Sequence, residues 1–216
     1  MKEYSVILFD LDGTLSDPTR GLVESYYYGL TKMGIVIDDK ASLSRFIGPP
    51  LFEEWQDVYG FSPEQANSAI ALFREYFSVY GWWDNKLYPG IKELLAHLKG
   101  KGKRIALATS KPEIFARKIL KFFAIDEYFD FVGAATLDTT RHTKWQVIDY
   151  TLKQMCIEDR ESVIIVGDRK YDAEGAAICG IDSLGVLYGH GTREEIESAG
   201  FTYVANTVED LIAVIK

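Results

Sequence analysis

Four aspartates, at positions 10, 12, 168 and 172, are the residues of this 216-residue chain best placed for chemistry. Asp10 and Asp12 end the stretch Tyr4-Ser-Val-Ile-Leu-Phe-Asp-Leu-Asp-Gly-Thr-Leu15, directly after an apolar run. Asp168 follows the equally apolar Val163-Ile-Ile-Val-Gly167, with Asp172 four positions later, so a helical turn opening there directs both carboxylates toward one point. Carboxylates gathered this closely repel by about 4 kcal/mol per pair at 4 Å and an effective dielectric of 20, so a cation must sit among them. An all-oxygen donor set of carboxylates, a backbone carbonyl and water suits Mg²⁺, which favours octahedral oxygen ligands and also binds phosphate. Helix capping would account for Asp168 and Asp172. It gives no reason for Asp10 and Asp12.

A metal-bridged phosphate beside a carboxylate permits attack by that carboxylate, giving an aspartyl phosphate that water then hydrolyses. Asp12, just past the strand end, is placed to protonate the leaving oxygen and later to take the proton of water. The phosphoryl oxygens need donors, and Thr109 or Ser110 offers a hydroxyl and backbone N–H groups at an expected helix start. A lysine is needed as well. Both Lys111, beside those hydroxyls, and Lys144, at the head of a later helix, are candidates.

These residues require a frame. Tyr4 to Phe9 has the continuous apolar character of a strand buried on both faces. From Pro89 onward, strands at Arg104 to Ala108, Phe131 to Gly133, Val163 to Val166, Leu184 to Leu187 and Tyr203-Val204 alternate with helices, the pattern of a parallel α/β sheet. Right-handed crossovers bring the ends of such strands to one edge, where ligands bind. Between the first strand and this region, residues 17–86 read as helical. Leu22, Tyr26, Leu30 and Met33 recur at helical spacing, and Ser62-Pro63 with Gln65 forms a capping box for a helix running to Tyr80. Ser44 to Pro50 interrupts the helices as a rigid turn. The expected architecture is a Rossmann-like doubly wound core, residues 1–16 and 87–216, with a small helical bundle, residues 17–86, inserted as a cap.

Composition is that of a globular protein with enough apolar residues, 47%, to fill such a core. The net charge of −8 argues against a nucleic-acid polymer as partner, since phosphate backbones are held by clustered Lys and Arg. No apolar run approaches membrane-spanning length, and the N-terminus lacks the form of a signal peptide. Cys156 and Cys179 have no metal-ligand spacing and are expected to be buried thiols. A cytoplasmic protein, monomer or homodimer, is the corresponding expectation.

Asp10-Leu-Asp-Gly-Thr-Leu15, Thr109-Ser-Lys-Pro112, Lys144 and Gly167-Asp168 with Asp172, in this order, resemble the motifs of the haloacid dehalogenase superfamily of aspartyl-phosphate phosphohydrolases. The resemblance implies Asp10 as nucleophile, Asp12 as general acid and base, Thr109 as phosphate ligand and Lys144, in preference to Lys111, as stabilising cation. It implies Mg²⁺ on Asp10, the Asp12 carbonyl and Asp168, with Asp172 supporting that site. The presence of Asp12 speaks against dehalogenase and phosphonate-cleaving branches. Phe46-Ile-Gly-Pro-Pro-Leu51 and Gly185 to Arg193 are similar to the branch of phosphoglycolate phosphatases and 5′-nucleotidases, where the position near His190 is often aromatic. A small phosphorylated metabolite is the implied substrate. Two rivals are a phosphotransferase of the β-phosphoglucomutase type and a phosphate-sensing module without turnover.

In the helical segment, Arg45, beside the Gly48-Pro49-Pro50 turn, is a candidate for holding a substrate anion, together with Ser110 and Gly48 as further substrate contacts. Pairing with a surface acid is the alternative for Arg45. Trp82 and Trp83 could stack on a base, although packing between segments is the simpler role. His97 and His142 have no partner at ligand spacing, and Tyr26-Tyr-Tyr28 is one helix covering several faces of a small bundle.

Overall fold

A computed structural model describes residues 2–48 and 51–215. They divide into two compact units, one of residues 1–17 and 87–216, the other of residues 18–86.

The first unit is built on a six-stranded, all-parallel sheet. In chain order its strands are β1 (Val6–Phe9), β4 (Arg104–Pro112), β5 (Phe131–Ala135), β6 (Val163–Gly167), β7 (Asp182–Val186) and β8 (Tyr203–Ala205). The two-residue strands β2 (Ser16–Asp17) and β3 (Lys86–Leu87) lie outside this sheet, where the chain leaves and returns. Across the sheet the order is β5-β4-β1-β6-β7-β8. This is a Rossmann-like order in which β1 is central and the winding reverses between β1 and β6, so a crevice opens there at the carboxyl ends. Every residue of β1 is buried, with Phe9 paired to Leu107 of β4 on one side and to Val166 of β6 on the other. Val6 and Leu8 join Ala106, Ala108, Val163 and Ile165 in one core layer, covered by Val147, Ile148 and Leu152 of α6 (Lys144–Gln154) and Ala176 of α7 (Lys170–Cys179).

The helical unit contains α1 (Thr19–Lys32), a 3₁₀ helix at Lys40–Phe46, α2 (Leu51–Tyr59) and α3 (Pro63–Tyr76). Its core is aromatic. Tyr26 stacks on Phe73 with centroids 5.1 Å apart and meets Phe46 and Trp55 edge-on. Tyr28 leaves the same helix in another direction to donate to Glu75, and Tyr27 faces the Lys40 ammonium, so the three tyrosines serve three surfaces. Ser62 and Gln65 form the expected reciprocal cap of α3.

Several elements depart from the sequence expectation. The helix expected to reach Tyr80 ends at Tyr76 and passes into a π-helical turn, Phe77–Gly81. Lys40–Phe46 is helical because Asp39 caps it, accepting from the Ala41 N–H at 3.0 Å; Pro49 and Pro50 of the expected rigid turn lie outside the described residues. The strand expected to stop at Ala108 continues to Pro112, and the next helix, α5 (Glu113–Phe122), begins only after it. A residue before proline is driven to extended backbone, and this keeps Lys111 in the strand. The short helix α8 (Arg193–Ser198), capped by Thr192, was not expected. The cysteines are free thiols, but Cys156, just past the end of α6, is exposed, and Cys179, the last residue of α7, is half-buried against the edge of the core. Among the described residues no helix is long and apolar enough to cross a membrane.

Candidate active site

The acidic tips of β1 and β6 meet at the winding reversal. Asp10 extends the pairing of β1 by one bond, donating its N–H to the Val166 carbonyl at 2.9 Å. The chain then turns tightly, with the N–H groups of Leu15 and Ser16 both directed to the Leu11 carbonyl. Gly13 is required in this turn for two reasons. Its φ of +81° is in the left-handed region, and a Cβ there would lie 1.9 Å from Asp168 Oδ2.

Carboxylate oxygens of Asp10, Asp168 and Asp172 lie within 4.8 Å of one another. Asp168 is completely buried. Its Oδ2 accepts from the His190 N–H at 2.7 Å, and its Oδ1 lies 3.4 Å from the Thr14 hydroxyl, a weak bond. Asp172, in the first turn of α7, divides its oxygens: Oδ2 accepts from the Arg169 N–H at 3.2 Å, while Oδ1 pairs with Lys144 Nζ at 2.8 Å. Helix capping is thus part of what Asp172 does, and no part of what Asp168 does.

Lys144 stands at the head of α6, where the Gln146 side chain accepts from the Thr143 N–H at 3.1 Å. Its ammonium reaches Asp10 Oδ1 at 2.9 Å, Asp172 Oδ1 at 2.8 Å and the Ala108 carbonyl at 3.1 Å. Burial would lower the Lys144 pKa, but Asp10 and Asp172 together hold it above the ordinary value. The structure separates the two candidate lysines, since Lys111 pairs instead with Asp12, Nζ to Oδ2 at 2.6 Å.

Three buried carboxylates against one ammonium leave two negative charges. Burial first, then Asp10 and Asp172, drive Asp168 well above the usual carboxylate range. Burial likewise raises Asp172, against the pull of Lys144, to about 6. The residual charge equals that of one divalent cation, and the donors are all oxygen, so the residues present fit Mg²⁺. The space around Asp168 is shaped to the same end. A Cβ on Gly189 would lie 2.3 Å from Asp168 Cβ and 2.4 Å from the Gly13 carbonyl, so only glycine lets the β7 loop close over this carboxylate.

Thr109 is buried at the end of β4 and its hydroxyl accepts from the Lys111 N–H at 3.2 Å, whereas Ser110 is exposed. Their N–H groups belong to an irregular strand end and not to the helix start the sequence suggested, because Pro112 delays α5. Arg45 and Gly48 lie exposed in the helical unit, with the Arg45 guanidinium over the Phe46 ring. Trp83 is exposed and donates to the Val79 carbonyl within its own unit. His97 and His142 are exposed.

The segment Gly185 to Arg193, noted in the sequence only as similar to a family branch, supplies the loop that completes the cluster, a contact the sequence did not reveal. The Tyr188 hydroxyl donates to the Thr14 carbonyl at 3.0 Å, and Tyr88 packs edge-on against Tyr188. His190 is held below its ordinary pKa by burial, against the opposing pull of Asp12 and Asp17. The signal available was Gly189-His190-Gly191, where paired small residues mark a close backbone approach.

A family profile described as haloacid dehalogenase-like hydrolase matches residues 7–186. A 5′-nucleotidase of Pseudomonas aeruginosa is 40% identical over 195 residues, 90% of this chain and 88% of that protein. The tyrosine-protein kinase PtkA of Mycobacterium tuberculosis is 38% identical over 208 residues, 95% of this chain and 70% of that protein. A solved structure described as a predicted phosphatase from Clostridium acetobutylicum superposes with a TM-score of 0.94 at 40% identity, covering 99% of this chain and 98% of the other.

Proposed function

The chain belongs to the haloacid dehalogenase-like hydrolases, and from that premise we propose that it is a Mg²⁺-dependent phosphatase of small phosphomonoesters, working through an aspartyl phosphate on Asp10. The observation that carries this reading is the asymmetry of Asp10. Lys144 occupies Oδ1 at 2.9 Å, and the other oxygen remains for a phosphorus atom.

In the first step that oxygen forms a bond to phosphorus while the bond from phosphorus to the leaving oxygen breaks. Asp12 gives its proton to the departing alkoxide. In the second step Asp12 takes a proton from water, the water oxygen attacks the same phosphorus, and the phosphorus–Asp10 bond breaks to release phosphate. The Thr109 hydroxyl and the Lys144 ammonium hold the non-bridging oxygens. Mg²⁺ would be held by Asp10, Asp168 and the Asp12 carbonyl, with Asp172 fixing Lys144 beside them. When bound it supplies charge neutralisation and alignment of the phosphate oxygens. We assign substrate choice to the helical unit as a cap, with Arg45 and Gly48 as contacts and Ser110 as a contact from the core. The branch that includes the P. aeruginosa 5′-nucleotidase supports nucleoside monophosphates or phosphoglycolate as first candidates.

Transfer to an acceptor other than water is the second reading, favoured by the relative named as a tyrosine kinase. Phosphate release from para-nitrophenyl phosphate, with Mg²⁺ and with a chelator, is compared for wild type and Asp10→Asn. The variant is expected to lose at least about 10³-fold, since the covalent step vanishes. Equal rates refute the reading. Retention of label on an added alcohol, without free phosphate, favours the transferase.

A further inference from the structure

Lys111 has no part in the mechanism above, yet it is built into the site. The register between β4 and β5 slips after Thr109: Thr109 pairs with Ala134 and Pro112 with Ala135, so the ladder register skips over Ser110 and Lys111. Such a bulge redirects side chains. Here it sends Ser110 to solvent and Lys111 inward, where the lysine side chain is only 5% exposed. Its ammonium lies 2.6 Å from Asp12 Oδ2. The other oxygen, Asp12 Oδ1, is buried with no hydrogen-bond partner. Asp12 is thus divided as Asp10 is, one oxygen pinned by a lysine and one left for the reaction.

We infer that Lys111 is a positioning residue for proton transfer: by clamping Asp12 Oδ2 it fixes the carboxyl so that Oδ1 carries the proton delivered to the leaving oxygen. Burying a lysine is costly unless it is paired, and this pair is to a carboxyl on the reaction side of the strand. The bond balance is unchanged: as phosphorus–oxygen cleavage places an electron pair on the leaving oxygen, that oxygen takes the proton from Asp12 Oδ1. Lys111 neither gains nor loses a proton.

The inference rests on the phosphatase reading and is tested by dependence on the leaving group. Glycerol phosphate expels an alkoxide that needs the proton, whereas para-nitrophenyl phosphate expels a stable phenolate that does not. Lys111→Met is expected to lower kcat/KM, which reports only the steps through departure of the leaving group and not the later attack of water, about 100-fold for glycerol phosphate, the effect of misplacing a catalytic group, and less than about threefold for para-nitrophenyl phosphate. In an Asp12→Asn background the same substitution is expected to add nothing. Thermal unfolding confirms that the variants fold, and Lys111→Gln replaces the Met variant if it is insoluble. Equal losses on the two substrates, or a full Lys111→Met effect in the Asp12→Asn background, overturn the inference and leave the Asp10 mechanism standing. Wild type and Asp10→Asn with the same rate sink both.

Discussion

Gly189→Ala tests whether the loop over Asp168 is held by contact. The added Cβ would meet Asp168 Cβ at 2.3 Å and the Gly13 carbonyl at 2.4 Å, against ordinary van der Waals separations of 3.4–4 Å. About one ångström of movement is needed, and no neighbour can give it freely. Gly13 is pinned by its own approach to Asp168, and Asp168 Oδ2 is held by the His190 N–H at 2.7 Å. Overpacking of this kind costs about 1–3 kcal/mol, a fall in Tm of roughly 2–4 °C for each kcal/mol in a chain of this size. A displacement of one ångström at the carboxylate proposed to hold Mg²⁺ is expected to lower kcat/KM about 100-fold and to raise the Mg²⁺ concentration for half-maximal activity. Gly100→Ala is the control. It sits at the end of α4 (Ile91–Gly100) with nothing within 4 Å of its Cβ position, so it is expected to be neutral or slightly stabilising. The measurements are thermal unfolding and Mg²⁺-dependent turnover. A Gly189→Ala protein with wild-type Tm and wild-type Mg²⁺ dependence refutes the packing argument.

Two further outcomes follow from the charges. Asp168→Asn removes one of three mutually repelling carboxylates, so the metal-free variant is expected to be at least as stable as wild type at pH 7, while the rise in Tm on adding Mg²⁺ disappears; a stable variant that still gains from Mg²⁺ contradicts the assignment. In metal-free wild type the folded-state pKa values of Asp168 and Asp172 lie above the unfolded ones, that of Asp172 at about 6. Native protein therefore holds the extra protons, and stability is expected to fall as pH rises from about 4 through 6, a decline that Mg²⁺ reverses. Asp130 behaves in the opposite sense. Burial alone would raise its pKa, but Lys99 and the Ile105 N–H, at 2.7 and 2.8 Å, hold it below the ordinary value. Its contribution is present above the unfolded pKa and lost as pH falls through the folded one. Asp130→Asn is expected to cost about 1 kcal/mol at pH 7, discounted for its partial exposure, with the two denaturation curves converging in acid.

The core of this site was legible because buried parallel strands are written as unbroken apolar runs. Tyr4 to Phe9 and Val163 to Gly167 announce themselves, and the aspartates that end them fall at the edge where parallel strands deliver ligands. Choosing between Lys111 and Lys144 was beyond spacing alone, because both lie one side chain from the end of β4. The outcome depends on a bulge set by Pro112 and on how α6 docks over Ala108. The Tyr188 to Gly191 loop was hidden for a similar reason. Its partners, Thr14 and Asp168, belong to the turn after β1 and the end of β6, and only the lateral strand order brings them together. The six-residue α8 is too short to show a helical period, and the 3₁₀ segment Lys40–Phe46 has no such period to show.

The central place of β1 has a consequence for synthesis. The strand that carries Asp10 leaves the ribosome well before the strands it pairs with, which begin at Arg104 and Val163. A nascent chain must carry this sticky ribbon unpaired while the helical unit emerges, and that unit's aromatic core gives residues 18–86 a means to fold in the interval. Prematurely terminated products that stop before the His190 loop lack the backbone donor on Asp168, so unfinished polypeptides are expected to have no working centre with which to deplete cellular phosphate esters.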